Sequence, residues 1–419
     1  MSRNKTHTEV ITGIDVGSTS VRVAVGQLTA SPQNSPSLQI VGAVEVPSEG
    51  IQKGIIGSIE DTVSAVSQAL EQVEKIVGVP IEHVWVGVAG TQIISQESKG
   101  VIAISRTDGE IVDEDIERAV DAAKAVATPL NYEILHVLPS SFAVDGQIGI
   151  KDPVGMTGIR LEVDTKIIHS VSSHIKNLSK VIYRAGVDID DFVLSILAAG
   201  EVVASSRQKE LGCVVVNIGG PTTTIVVYEE GDVMHTAVIP IGSSHITNDL
   251  ALGLKTAIDV AERVKIESGD CVSKGINKKE TVDLLDFGAE KSEIVTKHYI
   301  VQIIEARVGE ILEKVDDELS SIERSGLLPA GAIFIGGGSK IEGLIDCAKQ
   351  ELNLPAQLGY PLNVSSISDK INDISFAPAV GLVKWGSTLH SQGRRKKFSF
   401  NIGGKVTDKM KRIFKSLVP

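Results

Sequence analysis

The sequence predicts an α/β fold built from two similar halves, and three stretches carry that reading. "VITGIDVGSTSVRVAVGQL" gives two β-branched strand runs broken by Gly17, Ser18 and Thr19, the pattern of a hairpin. About 200 residues later, "VVVNIGGPTTTIVVYEEGDVMHTAVIPIG" repeats the theme: an apolar strand, Gly219 and Gly220, a Thr-rich turn, and two further strands. A third glycine cluster, in "AIFIGGGSKIEGL", separates another apolar strand from a helix. Two like units half a chain apart point to a duplicated architecture.

Helical spacing follows each unit, over 61–77 after the first and over 243–253 and 257–268 after the second. Between the units, residues 81–166 carry their own signals. "HVWVGVAG", "GVIAISR" and "YEILHVLPSSFAVD" read as strands, and Asp113 is placed to cap a helix bearing Ile116, Val120 and Ala123. This segment is expected to form an inserted α+β subdomain, with Asp152, Pro153, Val154 and Gly155 as a turn. Trp85 and Trp385 are expected to pack in the core or at an interface. The nine His show no ligand spacing, so His169 and His174 are expected to be solvated or hydrogen-bonded rather than metal-bound.

With 419 residues the chain is long enough for two or more domains, and 42% hydrophobic residues suit a folded α/β protein. Cys213, Cys271 and Cys347 lack metal spacing and are odd in number, which favours a reduced, cytoplasmic setting. The opening "MSRNKTHTEV" has no signal-peptide core and no apolar run reaches about 18 residues, so the chain is expected neither to cross a membrane nor to be secreted.

The net charge is −12, yet nine Lys or Arg stand against a single acid, Asp408, from Arg394 onwards. An acidic body with one basic tail argues against nucleic acid as a partner. After Trp385 the sequence "GSTLHSQGRRKKFSFNIGG" reads as a basic linker over 387–404. Residues 405–419 then place Val406, Met410, Ile413, Phe414 and Leu417 within an arc of about 100°, with Lys405, Lys409, Lys411, Arg412 and Lys415 around the rest. Such a helix could dock on the protein's own body, and a calmodulin-type or nucleic-acid target is another reading. The almost purely cationic polar face favours an anionic membrane surface, where each cation contributes about 1 kcal/mol. A helix this short anchors reversibly by itself, and many tails on one polymer would hold far more firmly.

An acid followed by glycine and hydroxyls on a strand turn is a way to handle phosphate, with the carboxylate holding hydrated Mg²⁺. Asp15, Gly17, Ser18 and Thr19 fit that chemistry. Three glycine loops at strand ends can converge on one cleft.

At these residues the chain resembles the actin-like ATPases and, within them, the FtsA family of bacterial division proteins, over nearly its whole length. "GIDVGSTSVRVAV" resembles the first phosphate loop, "VVVNIGGPTTTIVVY" the second, and "AIFIGGGSKIEGL" the adenosine loop. "ISQESKGVIAISR", "VDEDIERAVDAAKAV" and "ILHVLPSSFAVDGQIGIKDPVGMTGIRLEV" resemble the family's inserted subdomain IC.

The resemblance implies an actin-like, ribonuclease H-like duplicated fold of two lobes. Its parts would be subdomain IA over 1–80 and 167–210, IC over 81–166, IIA over 211–245 and 329–386, and IIB over 246–328. It further implies ATP with Mg²⁺ as ligand. Asp15 would hold the metal through water; Gly17, Ser18, Thr19, Ser20, Gly219, Gly220, Thr222, Thr223 and Gly242 would surround the phosphates. Glu262, Lys265, Gly336, Gly337, Gly338 and Ser339 would meet the adenosine. Val406, Lys409, Met410, Arg412, Ile413, Phe414, Lys415 and Leu417 would meet the membrane. The implied task is to polymerise at midcell on the inner face of the membrane, bind the FtsZ C-terminal peptide through IIB, tether the Z ring and recruit other divisome proteins.

Several positions depart from the family pattern. Asn217 stands where relatives usually have Asp, Pro221 replaces a glycine, Thr224 an acid, and Ser20 stands where many have Lys. The position that orients water in chaperone-like relatives is aligned with Leu197, with Glu201 nearby but out of register. An amide carries no charge and cannot take a proton at neutral pH, so slow hydrolysis is expected. A PilM-like pilus adaptor and a small-molecule kinase of the same superfold are the alternative readings.

Overall fold

The computed structural model describes residues 8–31, 34–126 and 128–393. The tail from residue 394, with every residue expected to face the membrane, lies outside the described residues. The chain divides into a larger unit, Met1–Ile94 with Ser173–Gly386, and a smaller one containing Ser95–Ser172.

A meander opens the larger unit. Strands β1 Thr8–Val16, β2 Ser20–Ser31 and β3 Asn34–Pro47 pair antiparallel, Val16 standing opposite Val21 across the expected glycine turn. A short hairpin, β4 Ile51–Gln52 and β5 Ile55–Ile56, leads to helix α1 Ile59–Val77. The Ser58 hydroxyl accepts the Asp61 N–H at 3.4 Å to start this helix, and Gly78, at φ 73°, ends it by donating to Glu74 O at 2.8 Å. Thr62, Ala65, Val66, Ala69 and Val73 recur at helical spacing and are buried. Strand β6 His83–Val88 pairs parallel with β1, so it belongs to the larger unit and not to the insertion expected to begin at residue 81. Its run from Val84 to Val88 is wholly buried, as a strand covered on both faces must be.

The smaller unit is a four-stranded sheet under one helix: β7 Ile93–Ala103, α2 Asp113–Val126, β8 Tyr132–Val144, β9 Gln147–Ile150 and β10 Arg160–Val171, in sheet order β7-β10-β8-β9. Ala119, Val120 and Ala123 of α2 share a core with Val137, Phe142, Leu161, Val163 and Ile167. Asp115, not Asp113, closes the helix start, its carboxylate accepting the Val112 N–H at 3.1 Å. The turn at Asp152 forms as expected, with Val154 N–H donating to its carboxylate at 3.0 Å. His169 is fully buried rather than solvated, and burial pulls its pKa down.

The larger unit resumes with α3 Ser172–Arg184, β11 Asp188–Leu194, α4 Ser195–Val203 and α5 Ser206–Leu211. His174 on α3 is buried as well, which lowers its pKa to about 4. A second meander follows in β12 Cys213–Ile218, β13 Thr223–Glu229 and β14 Asp232–Ile239. Helices α6 Ser243–Leu254 and α7 Ile258–Ser268 come next, then the hairpin β15 Thr281–Asp283 with β16 Ile294–Thr296. The chain ends its described course with α8 Lys297–Ser321, β17 Gly331–Ile335, α9 Leu344–Glu351, β18 Ala356–Leu358, β19 Ser365–Ser366 and α10 Ala377–Gly393. Helix α10 thus runs through the first part of the linker expected from residue 387, since no residue between Ser387 and Gln392 is a strong helix breaker.

The two large sheets have orders β11-β6-β1-β2-β3-β19 and β14-β13-β12-β17-β18. In each, the first strand of a meander takes a parallel partner on its other side, β6 beside β1 and β17 beside β12. The repeated sequence theme is therefore a repeated topology.

Candidate functional site

The three glycine turns meet on one cleft of about 640 Å³, within the larger unit. Asp15, Gly17, Ser18, Thr19 and Ser20 line it from the first hairpin; Asn217, Gly219, Gly220 and Thr222 line it from the second. Glu262 and Lys265 of α7 and Gly336, Gly337 and Gly338 complete the wall. Three expected residues do not line it. Thr223 is buried and donates its hydroxyl to Ile241 O at 2.8 Å, and buried Ser339 donates to Ile335 O at 2.6 Å. Gly242 lies beneath the second loop, where a Cβ would come within 2.5 Å of Gly220 O and 2.7 Å of Gly219 O. All three shape the loops without lining the cavity.

Asp15 ends β1. Its Oδ1 accepts the Ser195 hydroxyl at 2.8 Å. Pairing register places Gly87, Asp15, Arg22 and Glu45 on one rung across four strands, which directs the last three side chains to one face. Gly87 leaves the room this needs, since a Cβ there would lie 2.5 Å from Ser195 Oγ. Arg22 donates to Glu45 Oε1 at 2.6 Å and lies 5.9 Å from the centre of the Phe376 ring. Burial pushes the Asp15 carboxyl above its usual range, against the Ser195 hydrogen bond and the charge of Arg22.

The second wall has no acid at the matching place. Asn217 stands opposite Thr224 on β13 and Ile335 on β17. The loop closes with Gly219 N–H donating to Thr222 O at 2.9 Å, and Ser243 and Ser244 N–H at the start of α6 donate to Gly219 O and Gly220 O at 2.9 and 2.8 Å. Gly336 has φ 90°, open to glycine at little cost, and a Cβ there would lie 2.3 Å from Asn217 Oδ1. Leu197 is buried and Glu201 pairs with Lys209 at 2.6 Å; neither lines the cleft.

On α7, Glu262 and Lys265 face the cleft one turn apart and hold each other at 2.6 Å. The buried Lys265 amine also donates to Thr247 Oγ1 at 2.9 Å. Every Lys or Arg lining the cleft has an acidic partner: Arg22 with Glu45, Lys265 with Glu262, and Lys340 with Asp373.

Arg22, Glu45 and Ser195 escaped sequence reasoning. Arg22 was legible, because a tight turn at 17–19 forces the register that sets it beside Asp15. Ser195 gave no local signal; it reaches Asp15 only through the pairing of β11 with β6.

Two meanders with parallel partners around a glycine-lined cleft define a two-lobed actin-like fold. The PilM–PilN type IV pilus biogenesis complex superposes with a TM-score of 0.65 at 15% identity, over 90% of this chain and 98% of that one. MreB5 of Spiroplasma citri bound to ADP superposes at 0.55 and 12%, over 93% and 99%. Identities this low show the fold alone. The family model "Cell division protein FtsA" matches residues 214–381, and "SHS2 domain inserted in FTSA" matches 90–169. Cell division protein FtsA of Pseudomonas aeruginosa is 35% identical over 385 residues, 92% of this chain and 91% of the relative. That of Bacillus subtilis is 36% identical over 388 residues, 92% and 86% of the two chains. The chain belongs to the FtsA family of cell division proteins.

Proposed function

We propose that the cleft binds ATP with Mg²⁺ and that the chain polymerises to tether division filaments to the membrane. The convergence of three glycine turns on Asp15 carries this reading. A triphosphate brings several negative charges, and each lining cation is already paired, which leaves charge for a divalent ion to neutralise. Asp15 is the carboxylate placed to hold it, and a bound cation would offset the burial that raises this acid's pKa. When bound, Mg²⁺ would shield the phosphate oxygens. Glu262 and Lys265 would take the adenosine.

Turnover is slow in this proposal, because Asn217 and Thr224 offer no proton acceptor, Leu197 is buried and Glu201 is engaged elsewhere. ATP then acts as a structural ligand of the polymer-forming state. The partners would be the FtsZ C-terminal peptide on IIB, further copies of the chain, anionic lipids and other divisome proteins, at the inner face of the membrane at midcell. No helix among the described residues is long and apolar enough to cross a membrane, and in this proposal the basic amphipathic tail makes the attachment. Calorimetric titration with ATP, with and without Mg²⁺, tests the cleft: metal-dependent binding lost in Asp15→Asn is expected. Turnover of about 1 per second or faster in a single-turnover assay would overturn the structural role.

A further inference from the structure

The segment leaving α7 docks on the start of α9 by backbone pairing. Asp270 bridges Glu342 in parallel, and Cys271 N–H donates to Glu342 O at 2.8 Å. This contact brings together two of the three cysteines, 76 residues apart in sequence. The Cys347 thiol donates to Cys271 O at 2.9 Å, which seats the Cys347 sulfur directly against the Cys271 residue. Both are free thiols; Cys271 is fully buried and Cys347 half-buried.

We propose that Cys347 and Cys271 form a peroxide-responsive dithiol, in which Cys347 is the attacking and Cys271 the resolving cysteine. Exposure distinguishes the roles, since only Cys347 can be met from solvent. The pairing of the two thiols lowers the Cys347 pKa, against burial and the charges of Glu305, Asp270 and Glu351, and it joins burial in holding Cys271 well above the usual thiol range. The Cys347 thiolate attacks one oxygen of a hydroperoxide, giving Cys347 sulfenic acid and, from hydrogen peroxide, hydroxide. The Cys271 sulfur then attacks the Cys347 sulfur; the S–O bond breaks, the thiol proton leaves with the oxygen as water, and the disulfide forms. Cys213, buried in β12, takes no part.

The bond would fasten the end of α7 to α9. Gly269, Ile341 and Glu342, which flank the two docked segments, line the cleft. The site would therefore lock one wall of the cavity, a consequence that rests on the nucleotide reading above, whereas the disulfide itself does not.

The test uses the full-length chain treated with hydrogen peroxide under native conditions, followed by intact mass and peptide mapping. Expected are a loss of about 2 Da, a fall from three free thiols to one, a linked pair of peptides containing Cys271 and Cys347, and full reversal by dithiothreitol. In Cys271→Ala the Cys347 sulfenic acid should persist and be trapped by dimedone, and Cys347→Ser should be inert. Two results overturn the proposal: a wild-type chain that gains oxygen at Cys347 without forming the link, or one that keeps all three thiols. Neither depends on a variant folding or on whether ATP binds.

Discussion

Ser195 and Asp15 lie 180 residues apart in sequence and share a hydrogen bond of 2.8 Å at the floor of the cleft. The hydroxyl is the side-chain donor that steadies an acid whose burial favours the proton. Ser195→Ala should raise the Asp15 pKa further. Mg²⁺-dependent ATP affinity should then fall about 10- to 100-fold, the range for losing a partner behind a metal-holding group. The acid-side loss of affinity should also move to higher pH, which calorimetry across a pH series would read.

Asp15→Asn should separate stability from binding. The folded pKa is raised, so this acid contributes stability below its unfolded pKa that is lost as pH rises through its folded one. At neutral pH the apo variant should melt no lower than wild type, while ATP binding is lost. A large fall in the apo melting temperature would contradict this.

Gly336 and Gly337 are neighbours with opposite tolerances. Gly336→Ala meets a left-handed φ and a contact of 2.3 Å with Asn217 Oδ1, and should cost about 2 kcal/mol or more. A Cβ at Gly337 meets nothing within 4 Å, so Gly337→Ala should stay within about 0.5 kcal/mol of wild type in urea unfolding.

The pair on α7 is asymmetric in exposure. The Lys265 side chain is 7% exposed and that of Glu262 43%. Glu262→Gln leaves a buried ammonium short of its acid and should cost about 1–3 kcal/mol, more than Lys265→Met, which strands an acid that water can reach. Paired unfolding curves of the two variants check the order.

A buried histidine and a half-buried aspartate give the larger unit opposing pH responses. His174 titrates at about 4, so the stability it lends is lost as pH falls from 6.5 through 4. Asp191 is raised to about 6 by burial, and its contribution is lost as pH rises from 3.8 through 6. His174→Phe should therefore flatten the acid-side fall in urea midpoint, and Asp191→Asn should steepen it, each by at most about 1.4 kcal/mol per pH unit.

Local sequence carried much of this. The glycine turns declared themselves because backbone without side chains is needed where strands must approach a cavity, and the helices at 59–77, 243–254 and 258–268 followed from their apolar spacing. What stayed hidden depends on pairing between distant strands. "HVWVGV" looks alike whether it opens an insertion or enters a central sheet, and only the partners β1 and β11 decide. The burial of His169 and His174 was unreadable for the same reason. Thr223, Gly242 and Ser339 sit in the right motifs yet serve the loops from within: the two hydroxyls bond to backbone carbonyls, and Gly242 makes room against Gly219 and Gly220.

The carbonyls of Gly219 and Gly220 are gripped by the first amides of α6, and Gly242 leaves no gap between loop and helix. The loop cannot shift without dragging that helix along. Helix α6 in turn packs on α7 and α8, so loop and helices form one continuous packed stack. A side chain or ligand that meets Gly219 therefore meets a loop backed by three packed helices.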